Sequence, residues 1–142
     1  MSDLQGYYFE DISVGQTATY AKTVTETDIV LFAGISGDTN PVHLNEEFAA
    51  TTMFKGRIAH GMLSAGFIST VFGTKLPGPG CIYLSQNLKF KAPVKIGDTV
   101  VAKVEVLEVF PEKKRVNFKT TVSVGATVVI DGDASLLVPS RG

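Results

Sequence analysis

The strongest constraint on the fold is a segment in the middle of the chain, residues 61–72, with the sequence GMLSAGFISTVF. It is long enough for about three helical turns, and the following LPGPG (residues 76–80) ends it. Large apolar side chains cover most of its circumference, with only Gly, Ser and Thr between them. A helix that is apolar nearly all round belongs inside a core. The rest of the chain must therefore supply the surfaces that enclose it.

The second half of the chain predicts those surfaces as strands. Residues 99–110 and 114–124 alternate with the period of two that is typical of half-buried strands. Residues 81–90 and 126–138 are also strand-like, and PEKK and Gly125 indicate turns between antiparallel neighbours. The Asp131-Gly132 pair fits either a hairpin turn or a bulge, and the residues alone do not decide between them.

The first half predicts a strand over residues 16–24 and two short helices. Thr25 or Thr27 can cap the first helix, and Gly37 suits its end. Residues 45–54 predict the second, with Asn45 as its cap. Together these elements predict an α+β fold class, with one domain over residues 1–142 and an antiparallel sheet wrapped around one buried helix.

Composition narrows the function. The 142 residues are 44% hydrophobic and 19% charged, as in a soluble globular protein, and the formal net charge of -1 argues against a nucleic-acid partner. No apolar run reaches the roughly 18 residues of a membrane span, and the N-terminus lacks the pattern of a signal peptide. A single cysteine, Cys81, fits a reducing compartment. We therefore expect no membrane partner and a cytoplasmic location.

The segment GDTNPVH, residues 37–43, supports two interpretations. In the structural one, Gly37 ends a helix, Asp38 and Asn40 form turns, and Pro41 keeps Asn40 extended. In the functional one, the stiff segment holds Asp38 and His43 over one water, an arrangement for adding water across an activated double bond. The spacing alone does not establish that the two side chains converge, and it favours the structural interpretation.

Gly61 opens the apolar helix, where backbone N–H groups lack partners and the helix dipole is positive. Such N–H groups suit a thioester carbonyl that becomes an enolate, and glycine permits close approach. Close packing against another backbone explains Gly61 equally well. His60 is expected to be structural and bonded to a neighbouring backbone group, and the Ser69 hydroxyl to bond a carbonyl four residues earlier.

Other sites are not indicated. His43 and His60 are expected to lie far apart and Cys81 has no companion, so neither a metal site nor a cofactor is predicted. The chain has no glycine-rich phosphate loop and no nucleophile elbow of a serine hydrolase.

Four segments carry a resemblance to a known family: FAGISGDTNPVHLNEEFAA, RIAHGMLSAGFIS, LPGPGCIYLSQNLKFKAPVKIGDTV and DGDASLLVP. In order and spacing the chain resembles the MaoC-like (R)-specific enoyl-CoA hydratases, the hydratase 2 family of the PhaJ type. The resemblance covers nearly the whole chain. It implies a hot-dog fold paired into a homodimer, and it makes residues 126–138 one bulged strand. The implied reaction is reversible syn hydration of trans-2-enoyl-CoA, without metal or redox cofactor and with coenzyme A only as part of the substrate.

The resemblance also implies roles for single residues. Asp38 and His43 match the catalytic pair that holds the water, and the Gly61 N–H matches the group that binds the thioester oxygen. Ser69 and Asn40 match supporting residues of the site. The coenzyme A phosphates could meet Arg57, Lys89, Lys91 or Lys95, although solvated surface charge explains the lysines at least as well.

Two other functions remain open at the level of the sequence. A hot-dog acyl-CoA thioesterase would share fold and ligand, and a non-catalytic acyl-CoA-binding module would bind the ligand without turning it over. The Asp-x-Asn-Pro-x-His segment speaks against both. The sequence does not fix the acyl-chain length, which is expected to be short to medium. It also leaves the pathway open: polyhydroxyalkanoate supply, fatty-acid oxidation or a short-chain assimilation route.

Overall fold

The predicted apolar helix is present and extends from Gly61 to Thr74. The computed structural model describes residues 2–142. Two short 3-10 turns open the chain, Ser2–Leu4 and Phe9–Asp11. The helices are α1 (Glu26–Ser36), α2 (Pro41–Leu44), α3 (Glu46–Ala50) and α4 (Gly61–Thr74), and the strands are β1 (Thr17–Thr23), β2 (Ile82–Phe90), β3 (Thr99–Phe110), β4 (Arg115–Val124) and β5 (Thr127–Leu137).

The five strands form one antiparallel sheet in the order β1-β3-β4-β5-β2. One face of this sheet wraps around α4. Phe72 of α4 meets Phe118 of β4 edge to face, with ring centroids 4.8 Å apart, and both rings are fully buried. The predicted α+β fold with a sheet around a central helix, the hot-dog architecture, is therefore confirmed.

The prediction that α4 is enclosed on all sides is wrong for one face. Met62, Gly66, Ser69 and Gly73 recur every three or four residues and are exposed. These positions line up along one side of the helix, and the sheet of a single chain does not reach it. We call these four residues the α4 stripe.

The predicted helix boundaries are largely confirmed before the sheet. The Thr25 side chain accepts the Asp28 N–H at 3.1 Å and caps α1, while Gly37 ends it with a left-handed φ of 77°. Asn45 caps α3 as predicted, but this helix ends at Ala50 rather than at residue 54. The single turn α2 begins within GDTNPVH and ends one residue after it, at Leu44. It was not predicted, because this segment was interpreted as a turn.

The segment that links α1 to α4 forms a surface layer. Between residues 34 and 58 only His43, Ala49 and Gly56 are buried. This part of the chain therefore rests on the core through few side chains.

The alternatives for Asp131-Gly132 are now resolved. Both residues lie inside the continuous strand β5, where Gly132 pairs with Leu88 of β2 and with Thr120 of β4. A side-chain Cβ at Gly132 would overlap the carbonyl oxygen of Asn87, so glycine is required for the close approach of β2 and β5. The bulge implied by the resemblance lies just before this pair, where the register with β4 shifts after Val128.

Within the described part of the chain, no helix has the length and apolar character needed to cross a membrane.

Candidate active site

Asp38 follows the left-handed end of α1, and three hydrogen bonds hold it, two through its backbone and one through its carboxylate. Its N–H donates to the Ser36 hydroxyl at 3.1 Å, and its carboxylate Oδ1 accepts the Asn40 N–H at 3.2 Å. Its carbonyl accepts a hydrogen bond from Nε2 of His60 at 2.9 Å. The residue remains exposed, so the carboxylate is oriented yet accessible to a ligand.

His43 lies on α2, and two residues of the local sequence favour the start of this helix. Asn40 caps it by accepting the Val42 N–H at 3.1 Å, and Pro41 occupies the first helical position, where no N–H is needed. The resemblance implies a supporting role for Asn40, and in the structure Asn40 caps the helix that carries His43.

The His43 ring is buried, and its Nδ1 lies 2.8 Å from the Ile58 carbonyl oxygen. A carbonyl oxygen only accepts, so Nδ1 carries the proton and Nε2 of the neutral ring holds a lone pair. This tautomer makes Nε2 a hydrogen-bond acceptor and a candidate base.

Asp38, His43 and His60 converge. One ligand atom from each lies within 4.8 Å of the other two. The interpretation of GDTNPVH as a turn and nothing more does not account for this convergence. The sequence expectation that the two histidines lie far apart is wrong, since their rings stack with centroids 3.8 Å apart and planes 28° from parallel.

The pairing of the histidines comes from the path of the chain. Residues 44–57 loop out and return, and the Ile58 N–H donates to the Val42 carbonyl at 3.2 Å. This return places His60 against His43. The stacking also bears on metal binding: ring lone pairs lie in the ring planes, and two nearly parallel planes do not aim at one ion about 2.0–2.1 Å away.

Gly61 is the first residue of α4, and the side chain of the N-cap residue His60 makes no capping hydrogen bond. Among the described residues, neither the Gly61 nor the Met62 N–H donates to a protein acceptor. A Cβ on Gly61 would lie 2.6 Å from two ring carbons of Phe90. The glycine therefore packs closely, as one sequence interpretation held, but against an aromatic ring rather than backbone.

A mainly apolar cavity of about 450 Å³ begins at His60 and Gly61. Phe54, Met62, Phe90 and Val94 are among the side chains that line it, and Lys91 adds one positive charge. Asp38 and His43 are not in its lining. His60 is the residue that the cavity shares with the cluster of Asp38, His43 and His60. The size falls in the usual range for small-molecule sites, about 300–1,000 Å³.

Arg57 has a different set of partners from the predicted phosphates. Its Nη1 and Nη2 donate to the two carboxylate oxygens of Glu26 at 2.7 and 2.9 Å, and its Nε donates to the His43 carbonyl at 2.6 Å. The hydrogen bond from Arg57 lowers the pKa of the Glu26 carboxyl, and the same bond raises the pKa of Arg57. Binding a phosphate would require Arg57 to leave Glu26. The structure gives it the task of fastening α2 to the start of α1.

The remaining predicted residues differ in their distance from the cavity and from Gly61. Lys91 lines the cavity and lies 3.9 Å from Asp131, whereas Lys89 is exposed on β2 and does not line the cavity. Lys95 donates to the Phe54 carbonyl at 3.1 Å. Ser69 is exposed on the α4 stripe, eight residues or about 12 Å along the helix from Gly61. Ser69 therefore does not join the site of its own chain.

Two contributors were missed by sequence reasoning. The Ile58 carbonyl fixes the His43 tautomer, and the His60 ring contacts both Asp38 and His43. The expectation that His60 bonds to a neighbouring backbone group is confirmed, but its partner, the Asp38 carbonyl, gives that bond a place in the site. No sequence pattern marks a backbone carbonyl as part of a site. The position of His60 directly before Gly61 was a signal that could have indicated its place in the site.

The chain is similar over most of its length to known proteins of one family. A family model described as MaoC like domain matches residues 11–130. The chain is 64% identical over 140 residues to an (R)-specific enoyl-CoA hydratase of Rhodospirillum rubrum, covering 99% of this chain and 97% of that one. It is 52% identical to a 3-hydroxybutyryl-CoA dehydratase of Methylorubrum extorquens, covering 99% and 90%. Among solved structures, R-hydratase PhaJ1 of Pseudomonas aeruginosa superposes with a TM-score of 0.91 at 49% identity, covering 97% of this chain and 89% of that one.

Proposed function

Because the chain belongs to the MaoC-like family, we propose that it is a hydro-lyase that adds water to trans-2-enoyl-CoA and gives (R)-3-hydroxyacyl-CoA. The reverse dehydration uses the same groups. One observation carries the proposal: an oriented carboxylate and a basic imidazole converge beside an unpaired helix N-terminus. The named relatives support both the (R) configuration and a short acyl chain.

The paired acceptors explain how water is activated. The Asp38 carboxylate and His43 Nε2 both accept hydrogen bonds, so one water can donate an O–H to each. Its oxygen lone pair then remains free to attack Cβ of the enoyl group. Asp38 takes the proton as general base, while His43 orients the water and shares that proton. The proton that Cα needs is returned from this same pair, so both additions occur on one face.

Gly61 activates the substrate as an electrophile by stabilising charge on the thioester oxygen. Attack at Cβ moves electron density onto the thioester oxygen, which gains enolate character. The Gly61 N–H at the positive end of α4 stabilises that negative charge, and the helix dipole increases the stabilisation. Without a Cβ at this position, the thioester can approach the backbone closely.

The cavity gives the rest of the substrate a place to bind. It starts where the thioester would contact Gly61, and its apolar lining suits the uncharged portion of an acyl-CoA. Of the predicted phosphate ligands, only Lys91 lines this cavity. We therefore propose Lys91, ahead of the other basic residues, as the contact for the coenzyme A phosphates.

One observation and one assay distinguish this reaction from the alternatives. A non-catalytic binding module has no use for an exposed carboxylate and an imidazole that converge. A thioesterase would direct its water at the carbonyl carbon, so it would release free coenzyme A from a saturated acyl-CoA. Absence of that release, with turnover of the unsaturated substrate, separates hydratase from thioesterase.

We further propose a homodimer. The outer edge of β2 has no strand partner among the described residues, and it presents Ile82 and Leu84 with 57% and 49% of their surface exposed. An unprotected apolar edge favours pairing with another strand. The α4 stripe is open as well, so a second copy could cover both, and Ser69 would then face that copy. A monomer mass by light scattering at micromolar concentration would contradict the dimer.

The proposed chemistry needs no metal, so full activity is expected after exhaustive EDTA treatment. Loss of activity that only an added metal restores would contradict this. The unpaired Cys81 is compatible with the proposed cytoplasmic location.

The test of the proposed function is hydration of crotonyl-CoA, followed by the absorbance of the conjugated thioester and chiral analysis of the product. Asp38→Asn and His43→Gln should each reduce kcat by about 10²–10⁴-fold. The double variant should be little worse than the poorer single one, because the two groups act as a unit. Both substitutions preserve size, so Tm should change little. A folded Asp38→Asn protein with wild-type turnover would refute the catalytic pair.

A further inference from the structure

We propose that His60 is a positioning residue that fixes the Asp38 backbone through its Nε2–H, and that turnover depends on this bond. The inference rests on the proposed hydration. His60 lines the cavity, and in this scheme it acts through its contacts with Asp38 and His43.

The first support is the place of His60 at a junction. Its Nε2 bonds the Asp38 carbonyl at 2.9 Å, and its ring stacks on His43 at 3.8 Å between centroids. On α1 the Phe32 ring lies 4.8 Å from it. The next residue is Gly61. One side chain therefore contacts both residues of the catalytic pair and directly precedes the N–H assigned to the thioester.

The second support is an unpartnered nitrogen. His60 is 2% exposed, and its Nδ1 has no hydrogen-bond partner among the described residues. The Asp38 carbonyl only accepts, so Nε2 carries the proton and Nδ1 of the neutral ring is a buried acceptor left unpaired. A buried acceptor without a partner costs at least as much as one ordinary hydrogen bond contributes.

A phenylalanine at residue 60 would fill the space between Phe32 and His43 without that unpaired acceptor. Stability alone therefore does not explain an imidazole here. What phenylalanine lacks is the donor to the Asp38 carbonyl.

The third support is the exposure of Asp38. Its remaining anchors are single hydrogen bonds to Ser36 and Asn40, both exposed. Without the bond from His60, the carbonyl of residue 38 is free to rotate, and the carboxylate shifts relative to His43 Nε2. A displacement of about 1 Å in a catalytic group can reduce turnover by about 10²-fold.

Two substitutions separate the donor from the ring. His60→Gln keeps an N–H donor near the place of Nε2 and loses the ring. His60→Phe keeps the ring and loses the donor. Phe118→Leu serves as the control for lost packing, since this ring is buried against Phe72 on the sheet side and touches neither catalytic residue.

The experiment measures kcat, KM and Tm for crotonyl-CoA hydration in these three variants, with Asp38→Asn in parallel. We expect His60→Phe to keep a Tm near wild type and lose about 10²-fold in kcat with little change in KM. His60→Gln should recover most of that loss, although its Tm is the lower of the two. Phe118→Leu should lower Tm and leave kcat unchanged.

Wild-type kcat in a folded His60→Phe protein would overturn the inference, and so would equal losses in the Phe and Gln variants, since these would assign the effect to packing. If Asp38→Asn stays inactive in either case, the proposed function stands and only the role of His60 falls. A wild-type protein that does not hydrate crotonyl-CoA removes the function itself. Should His60→Phe fail to fold, kcat of His60→Gln at wild-type level supports the donor, and a 10²-fold loss there overturns it.

Discussion

Gly61→Ala tests whether the start of α4 is shaped for a ligand or only for packing. The added methyl group would lie 2.6 Å from Cδ1 and Cε1 of Phe90, closer than the 3.0 Å below which real Cβ atoms essentially never approach a neighbour. The Phe90 ring must therefore move by about 1 Å to reach normal carbon–carbon contact. Phe90 is 53% exposed, so its ring can swing toward solvent.

The expected cost in stability is small. An off-rotamer phenylalanine costs about 0.5–1.5 kcal/mol. Alanine is favoured over glycine by up to about 1 kcal/mol within a helix, and by less at its first residue. The net destabilisation is therefore about 1 kcal/mol at most, or about 3 °C in Tm. A protein of ordinary stability, about 5–15 kcal/mol, stays folded after such a loss.

The expected cost in activity is much larger. The methyl group holds the thioester away from the Gly61 N–H, and removal of one such donor typically reduces kcat by about 10²–10³-fold. Activity and stability are thus expected to separate, and unfolding cannot account for the lost turnover.

The assay compares Gly61→Ala, Phe90→Leu and the double variant by crotonyl-CoA hydration and thermal melting. Phe90→Leu removes the ring edge that conflicts with the methyl group, so the double variant should regain the Tm of Phe90→Leu alone. Its kcat should stay at the level of Gly61→Ala. Recovery of kcat in the double variant to the Phe90→Leu level would show that Gly61 serves packing only, and would refute the assignment of its N–H to the thioester.

Two further predictions concern the scaffold. Gly132→Ala should destabilise the protein strongly, because its methyl group would overlap the Asn87 carbonyl oxygen. The control Gly34→Ala, at an exposed position of α1, meets no atom of the described residues within 4 Å and should stabilise the protein by up to about 1 kcal/mol. Equal Tm values for the two variants would contradict the close approach of β2 and β5. Glu26→Gln should lower Tm at neutral pH by weakening the pair with Arg57. Because the folded-state pKa of Glu26 lies below its ordinary value of 4.5, this stabilisation is complete above that value and is lost as pH falls through the lowered pKa. The Tm difference between wild type and Glu26→Gln should therefore vanish in acid, and a difference that is constant from pH 7 to pH 3 would contradict the assignment.

Periodicity predicted the parts of the fold that depend on local pattern. The strands of the second half and α4 follow from alternation and from an apolar circumference. The exposed face of α4 could not be predicted in this way, because Gly66 and Gly73 look the same whether they pack against a sheet or lie open. Whether α4 is buried on every face depends on how far the sheet of one chain extends around it. That extent cannot be inferred from the sequence of the helix.

The candidate site was predicted in its residues and less well in its contacts. Asp38, His43 and Gly61 were found from motif and resemblance. The separation of His43 and His60 was misjudged, because seventeen positions in sequence say nothing about a chain that loops out and returns. Arg57 was named as a residue that the coenzyme A phosphates could meet, and its fork-shaped pairing with Glu26, thirty-one residues earlier, was not predicted.

The sparse anchoring of residues 34–58 has a consequence for how the protein fails under stress. Segments with few buried contacts open at a lower free energy than the core to which they are attached. Asp38 and His43 lie in this layer, whereas α4 and the sheet hold most of the buried side chains. Catalytic competence should accordingly be lost at lower urea concentration than the far-UV circular dichroism signal. Amide protons of α2 and α3 should exchange with deuterium well before those of β3 and β4, so inactivation and denaturation are two separate events in this molecule.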